Sequence, residues 1–367
     1  MRVGVVGAGK ISAQYSQSFR RLQQVQVTAV ADLDLGRAQL LAAEHPGARA
    51  MDVDDLVSSA DVDLVLNLTT PAAHARVALA ALAAGKHVYG EKPLAATTAE
   101  GRQLLDAVGG AAAEQSGPRL ACAPDTVLGT GVQTARAAVD AGAIGVPHAA
   151  TAFMLTPGHE RWHPDPAFYY QPGGGPLFDM GPYYLTSLVH LLGPVRRVVG
   201  AASRPHATRT VGQGPLAGTT FDVQVDTHVT GILEHHSGAL TTLVMSFDTW
   251  AGRLPRIEVY GDGGSLSVPD PNYFDGPVEL FPAGGDWEQL APSAGYSGAG
   301  RGYGVADLAL SLDAGRPHRA GAEVALHVLD VMESVHAAAG SGERVVLTTT
   351  CERPEPVPSL VDLSRPR

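Results

Sequence analysis

The stretch Arg2-Val3-Gly4-Val5-Val6-Gly7-Ala8-Gly9-Lys10-Ile11-Ser12 decides the reading of the fold. A β-branched run breaks into closely spaced glycines and then into a segment of helical spacing, Ile11–Leu22. Glycines let a backbone approach a pyrophosphate, and the first turn of a helix offers it unpaired N–H groups. Ser12, small enough for close helix–strand packing, stands where the usual fingerprint has its third glycine. Gly7, Gly9, Lys10 and Ile11 are therefore candidate cofactor-binding residues. About twenty residues on, Asp32 closes the second apolar run, where an acidic side chain can bond both ribose hydroxyls. Leu33 and Asp34 follow it, so a 2′-phosphate would meet repulsion, and NAD is expected over NADP.

Outward from this loop, strand-like and helix-like segments alternate: Val25–Ala31, Leu35–Glu44, Val62–Leu68, Ala72–Ala84, His87–Tyr89, Thr97–Ala113 and Arg119–Ala121. That order predicts an α/β fold whose first domain, residues 1–122, is a doubly wound parallel sheet of the Rossmann type. Beyond it the pattern changes. A helix at Gly131–Ala141 leads into longer strands at Pro147–Leu155, Arg196–Ser203, Asp226–Leu233, Ala239–Asp248 and Arg256–Val259, with turns at His236-Ser237-Gly238 and Asp262-Gly263-Gly264. A helix at Leu177–Leu192 interrupts them, and Val305–His336 holds one or two more. Residues 123–352 thus predict an α+β domain with a large, mostly antiparallel open sheet, one face covered by helices. Arg353–Arg367 is Pro-rich and reads as a surface tail.

Composition narrows the partners. The 367 residues carry 26 Lys+Arg against 37 Asp+Glu, a formal charge of −11, which argues against nucleic acid or an anionic membrane. Two distant cysteines, Cys122 and Cys351, make no disulfide framework, so a reducing compartment is expected. The chain runs directly into its first strand, and no apolar run approaches the ~20 residues of a membrane helix. The expectation is a soluble cytoplasmic protein. The only lysines are Lys10, Lys86 and Lys92. In so Arg-rich a chain a Lys can mark a place where an amine, able to give up its proton, is needed.

Lys92 stands in Glu91-Lys92-Pro93, just past the strand at His87–Tyr89, at the carboxyl edge where doubly wound sheets bind ligands. The strand and glycine loop, Asp32, Thr69-Thr70-Pro71 with His74, Ala84-Gly85-Lys86-His87-Val88 leading to Glu91-Lys92-Pro93, and the later Gly-Gly-Gly-Pro-Leu-Phe-Asp run at 173–179 together resemble the Gfo/Idh/MocA oxidoreductases, the glucose–fructose oxidoreductase and inositol dehydrogenase family. The likeness extends over nearly all of residues 1–345. It implies a Rossmann domain followed by an open-sheet domain, an NAD(P) cofactor, hydroxylated substrates such as sugars or inositols, and homodimers or homotetramers paired through the second sheet. It also implies Lys92 as the catalytic lysine, Thr69, Pro71, His74 and Glu91 as cofactor-side residues, and a cis bond before Pro93.

In the second domain, Asp179 and Tyr183 are four apart on one helix and share a face. The resemblance implies an Asp and, four residues later, a His acting with the Lys; Asp179 matches, whereas Tyr183 occupies the His position. A phenol can still bind or relay the proton of a substrate hydroxyl. Lys92, Asp179 and Tyr183 are thus the candidate catalytic residues. With them, Asp125, Trp162 and His163 are candidates for the substrate. His159 and His163 have the spacing of a metal pair, but Pro164 and Pro166 disfavour a helix and no acidic or Cys cluster completes a site, so no metal is expected. Glu234-His235-His236 reads as a solvated hairpin turn; Arg301, His318 and Arg319 flank the late helix, and either reach the site or are surface charges.

The expected activity is hydride transfer between NAD and a secondary hydroxyl or ketone of a sugar, glycoside or inositol, with Lys92 as acid/base. Two alternatives stay open: glycoside cleavage through transient oxidation by a held cofactor, and a non-catalytic dinucleotide-binding sensor, which Tyr183 at the His position keeps in view.

Overall fold

The computed structural model describes residues 1–109 and 117–364, which fall into two compact units. The first comprises Met1–Gln133, Ser293–Leu329 and Pro354–Arg367. Its sheet contains β1 (Arg2–Val6), β2 (Gln26–Ala31), β3 (Arg49–Ala50), β4 (Leu64–Asn67), β5 (His87–Gly90) and β6 (Leu120–Cys122), all parallel, in the order β3-β2-β1-β4-β5-β6. The central strands are largely apolar because both faces are covered; β4 is buried along its whole length. Helices α1 (Ser12–Phe19), α2 (Leu35–Ala43), α3 (Val53–Ser58), α4 (Pro71–Ala83) and α5 (Thr98–Ala107) supply the crossovers. The Asp34 carboxylate caps α2 by accepting from the N–H of Gly36 at 2.9 Å and of Arg37 at 3.3 Å. β3 and α3, two and six residues long, are too short for periodicity to announce. The far end of the expected helix Thr97–Ala113 lies outside the described residues.

Two expectations for the C-terminal part need correction. The first unit is built from three separated stretches, so the contiguous division at residue 122 does not describe it. Arg353–Arg367 is not a loose surface tail either: Val357 and Leu363 are buried in the first unit's core. Leu360–Val361 pairs in parallel with Gly295–Tyr296, as β19 with β17. The Val357 N–H donates to Gln133 Oε1 at 2.8 Å, and Arg319 Nε donates to the Pro356 carbonyl at 3.0 Å. Apolar residues spaced between the prolines provide the burial that composition alone concealed.

The second unit comprises Thr134–Pro292 and Asp330–Arg353. After α6 (Thr130–Asp140) come β7 (Pro147–Leu155), α7 (Gly175–Leu192), β8 (Val195–Ser203), the small hairpin β9 (Thr208–Thr210) and β10 (Thr220–Asp222), then β11 (His228–His235), β12 (Leu240–Ser246), β13 (Ile257–Gly261), β14 (Gly264–Val268), β15 (Val278–Pro282), β16 (Glu288–Leu290) and β18 (Val345–Val346). Nine strands form one sheet, β16-β15-β14-β13-β7-β12-β11-β8-β18, antiparallel except for β12 with β7. Helix α7 packs on one face over β7, β11 and β12, where Ala150, Ala152, Leu243 and Met245 alternate inward. Of two late helices, α8 (Tyr303–Asp313) belongs to the first unit, and α9 (Ala322–Ser341) starts in the first and ends in the second. His235, expected in a solvated turn, instead ends β11 buried, because alternation along the strand points it inward.

Candidate active site

In the first unit the strand order reverses direction between β1 and β4, and the loops after these two strands flank the point where doubly wound sheets take ligands. Gly7 has φ +104°, and a Cβ there would stand 2.7 Å from the Leu68 carbonyl, so only glycine lets the first loop lie against the end of β4. Gly9 opens onto free space, the cradle that a pyrophosphate requires. Asp32 faces this loop: its Oδ2 accepts from the Ala8 N–H at 2.7 Å and its Oδ1 from the Asp34 N–H at 2.8 Å. The carboxylate thereby fixes the loop as well as presenting lone pairs at the end of β2, where a ribose belongs. These features fit a dinucleotide.

The Glu-Lys-Pro corner is built from below by Asn67 and Tyr15, which the sequence did not single out, together with His74 and Glu91, which it did. Asn67, buried at the end of β4, donates to the His74 carbonyl at 3.0 Å and accepts from the Thr69 hydroxyl at 2.6 Å. His74 is itself buried, its Nε2 3.0 Å from the Thr69 carbonyl and its Nδ1 2.7 Å from the Pro93 carbonyl. It therefore braces the turns after β4 and β5, and both of its nitrogens are engaged by protein. Glu91 is buried: its Oε1 accepts from the Tyr15 hydroxyl at 2.8 Å and its Oε2 from the Lys92 N–H at 3.0 Å. The Lys92–Pro93 bond is cis, and Lys92 is half-buried at this corner. Of the other lysines, Lys86 is spent on structure, donating to the Ser59 and Val62 carbonyls at 2.7 and 2.9 Å.

Asp125 does not take the place expected for a substrate contact. It is fully buried, and its Oδ2 accepts from the N–H groups of Gly302 at 2.7 Å and Gly304 at 3.0 Å, capping the entry to α8. Burial pushes its carboxyl above the usual range. His318 and Arg319 are likewise internal: His318 Nε2 lies 2.9 Å from the Leu120 carbonyl, and Arg319 pairs with Asp307.

In the second unit, α7 presents Asp179 and, one turn on, the buried Tyr183. Asp179 meets a residue that spacing had suggested only as half of a metal pair: His159 Nε2 lies 2.8 Å from Asp179 Oδ2. The ring sits among Phe247 and Tyr169, each with centroid 4.4 Å away, and Trp162 at 5.0 Å. Trp162 and Phe168 are the exposed members of this aromatic group, with His163 between them. Behind it, the His159 N–H donates to the Tyr170 hydroxyl at 3.1 Å, which donates to Glu160. Glu160 pairs with Arg209 at 2.9 Å, Arg209 with Asp248, and Asp248 accepts from the Thr227 hydroxyl at 2.6 Å. Burial, with the Glu160 carboxylate next to it, drives the Tyr170 phenol well above its ordinary range. The one signal for His159 was indirect: a histidine missing at 183 invites a search for another near Asp179.

The profile of an oxidoreductase family with an NAD-binding Rossmann fold matches residues 1–114, and that of the GFO/IDH/MocA C-terminal domain matches residues 132–267. A dTDP-3,4-didehydro-2,6-dideoxy-alpha-D-glucose 3-reductase of Streptomyces violaceoruber is 36% identical over 219 residues, 59% of this chain and 62% of that enzyme. The chain therefore spans less than two thirds of that reductase's length. The myo-inositol 2-dehydrogenase of Thermotoga maritima is 26% identical over 72% of this chain and 74% of its own. Among solved structures, an NAD binding oxidoreductase from Klebsiella pneumoniae superposes with a TM-score of 0.81 at 23% identity, over 95% of this chain and 99% of the other, a likeness of fold. With the glycine loop at the switch point, Asp32 at the end of β2 and Glu91-Lys92-Pro93 after β5, the chain belongs to the Gfo/Idh/MocA oxidoreductases and carries their NAD-binding Rossmann domain.

Proposed function

We propose that this protein is an NAD-dependent dehydrogenase that interconverts a secondary hydroxyl and a ketone on a sugar, glycoside or inositol. The observation that carries the reading is the Glu91-Lys92 corner: Glu91, tied to Tyr15 and to the Lys92 N–H, fixes the backbone from which the Lys92 amine projects at the carboxyl edge of β5. The names of the relatives, which act on a deoxysugar nucleotide and on myo-inositol, support the substrate class. NAD, when bound, supplies the hydride acceptor. Lys92 exchanges the hydroxyl proton at Nζ, because an amine, unlike a guanidinium, can release one at useful pH. Asp179 accepts a hydrogen bond from a substrate hydroxyl, and Tyr183 orients or relays. Gly7, Gly9, Lys10 and Ile11 hold the pyrophosphate, and Asp32 holds the ribose; Thr69 and Pro71 line the cofactor side, which His74 braces. Trp162 and His163 offer an aromatic face to the C–H face of a ring. Two buried free cysteines suit a reducing cytoplasm, and no helix among the described residues is long and apolar enough to cross a membrane.

The test is nicotinamide absorbance with NAD and NADP separately over a panel of pyranoses, glycosides and inositols. Turnover with NAD and one substrate group is expected. Lys92→Arg keeps the charge and NADH affinity but lowers kcat by about 10²–10⁴-fold, because Arg cannot release its proton. Wild-type protein that binds NADH yet turns over no hydroxyl on the panel would count against the dehydrogenase. Cofactor retained through purification with no net NADH formed would favour transient oxidation instead.

A further inference from the structure

Resting on the dehydrogenase reading above, we infer that His159 is the positioning partner of Asp179 and takes the part of the histidine that α7 lacks at Tyr183. Three observations on the second unit carry this. His159 Nε2 is 2.8 Å from Asp179 Oδ2, and an ionised carboxylate only accepts, so the ring donates to it. One carboxylate oxygen is thereby held, and the rotation of the group about its last bond is restricted. The ring itself has no freedom: Phe247, Tyr169 and Trp162 wall it, and its backbone N–H is fastened to Tyr170, whose hydroxyl continues into Glu160, Arg209 and Asp248. Finally, His159 Nδ1 is buried without a hydrogen-bond partner among the described residues.

That last feature separates a functional role from a structural one. A buried polar atom left unpaired costs stability, so a histidine kept here for packing alone is a poor choice beside an apolar side chain of similar size. The bond to Asp179 is what the ring provides in return. The charged and titratable groups around it are Asp179 on α7, Glu160 and Arg161 on its own turn, His163, Tyr169 and Tyr170 on the following loop, Arg209 on β9 and Asp248 after β12.

Two substitutions test the assignment in the full-length protein with NAD. His159→Leu removes the donor and the orphaned nitrogen together; His159→Gln keeps a side-chain N–H donor. The expected result is that His159→Leu keeps or raises Tm, leaves NADH affinity within twofold, lowers kcat by about 10²-fold and moves the acid limb of the kcat/KM profile to higher pH, because Asp179 has lost the donor favouring its charged form. His159→Gln regains most of kcat and the wild-type limb. If both variants retain wild-type kcat and pH profile, the assignment is overturned while the dehydrogenase reading stands. If His159→Leu does not fold, His159→Gln decides: turnover with the wild-type limb supports the assignment, and loss of turnover in a folded His159→Gln overturns it. If the wild-type protein binds NADH but oxidises nothing on the panel, that reading fails, and ring-nitrogen NMR settles the pair independently. A His159 ring in the Nε2–H form whose resonances move on Asp179→Asn supports the pairing, and a ring indifferent to that substitution overturns it.

Discussion

Three histidines of this chain, His45, His87 and His235, sit where burial disfavours a charged ring, and each has its pKa lowered mainly for that reason. His235 is the extreme case, pushed down to about 4. Its hydrogen bonds suit a neutral ring: Nδ1 lies 2.8 Å from the Gly193 carbonyl, and Nε2 lies 3.0 Å from the Thr241 hydroxyl. An unfolded chain protonates this histidine near pH 6.5, so between about 6.5 and 4 the unfolded state binds a proton that the native state refuses. Stability is therefore complete above pH 6.5 and falls as the pH drops through that window, by about 1 kcal/mol per pH unit from His235 alone. Urea unfolding at pH 7, 6 and 5 should show this decline, and His235→Gln should shrink it. A wild-type stability flat from pH 7 to 5 would contradict the buried neutral ring. At this scale some residues were legible and others were not. The positions of Asp32 and Lys92 could be read because each lies at a fixed offset from a strand end, whereas His74 as a brace and Asp125 as a cap depend on which carbonyls and N–H groups the fold brings to them.

Between elements, the approach of α9 to the second sheet turns on two facing glycines. Gly200 on β8 pairs directly with Gly231 on β11, and α9 lies over both. A Cβ at Gly200 would stand 2.5 Å from the Val335 carbonyl, and one at Gly231 would be 3.0 Å from the Val199 carbonyl. Backbone on both sides leaves no side chain to move aside. Gly200→Ala should therefore cost roughly 1–3 kcal/mol by overpacking, seen as a lower urea midpoint with an unchanged slope; wild-type stability in that variant would mean that α9 can shift freely. Element scale is also where the sequence reading was most successful. β7 spans Pro147–Leu155 and α2 begins at Leu35, both as expected, because long alternation and a capping Asp are local signals. The two-residue β3 left no such signal.

For the molecule as a whole, the face of the large sheet opposite α7 carries apolar residues without a layer over them in the single chain. Ile232 is 47% and Leu240 49% exposed, on adjacent antiparallel strands, with Phe153 and Val244 partly exposed on the same side. This supports the proposed homodimer or homotetramer formed through that face. Light scattering on the wild-type protein should give a multiple of one chain's mass. Ile232→Asp combined with Leu240→Asp should shift it to that of one chain, with NADH binding retained. An oligomer unchanged by both charges would move the interface elsewhere.

What the sequence determined by itself follows from local chemistry: a glycine turn after a β-branched strand, an acid at the next strand's end, a Glu-Lys-Pro corner, and alternation that demanded a one-sided sheet. Each is a contiguous pattern with a physical reason inside a few residues. Only the tertiary structure decided that the C-terminal segment completes the first unit's core, that Asp125 is a cap, and that Asp179 finds its histidine in a loop twenty residues earlier. Those outcomes depend on the directions in which side chains leave separate elements. Such directions are fixed by packing of the whole sheet and its helices, over distances that sequence spacing does not encode.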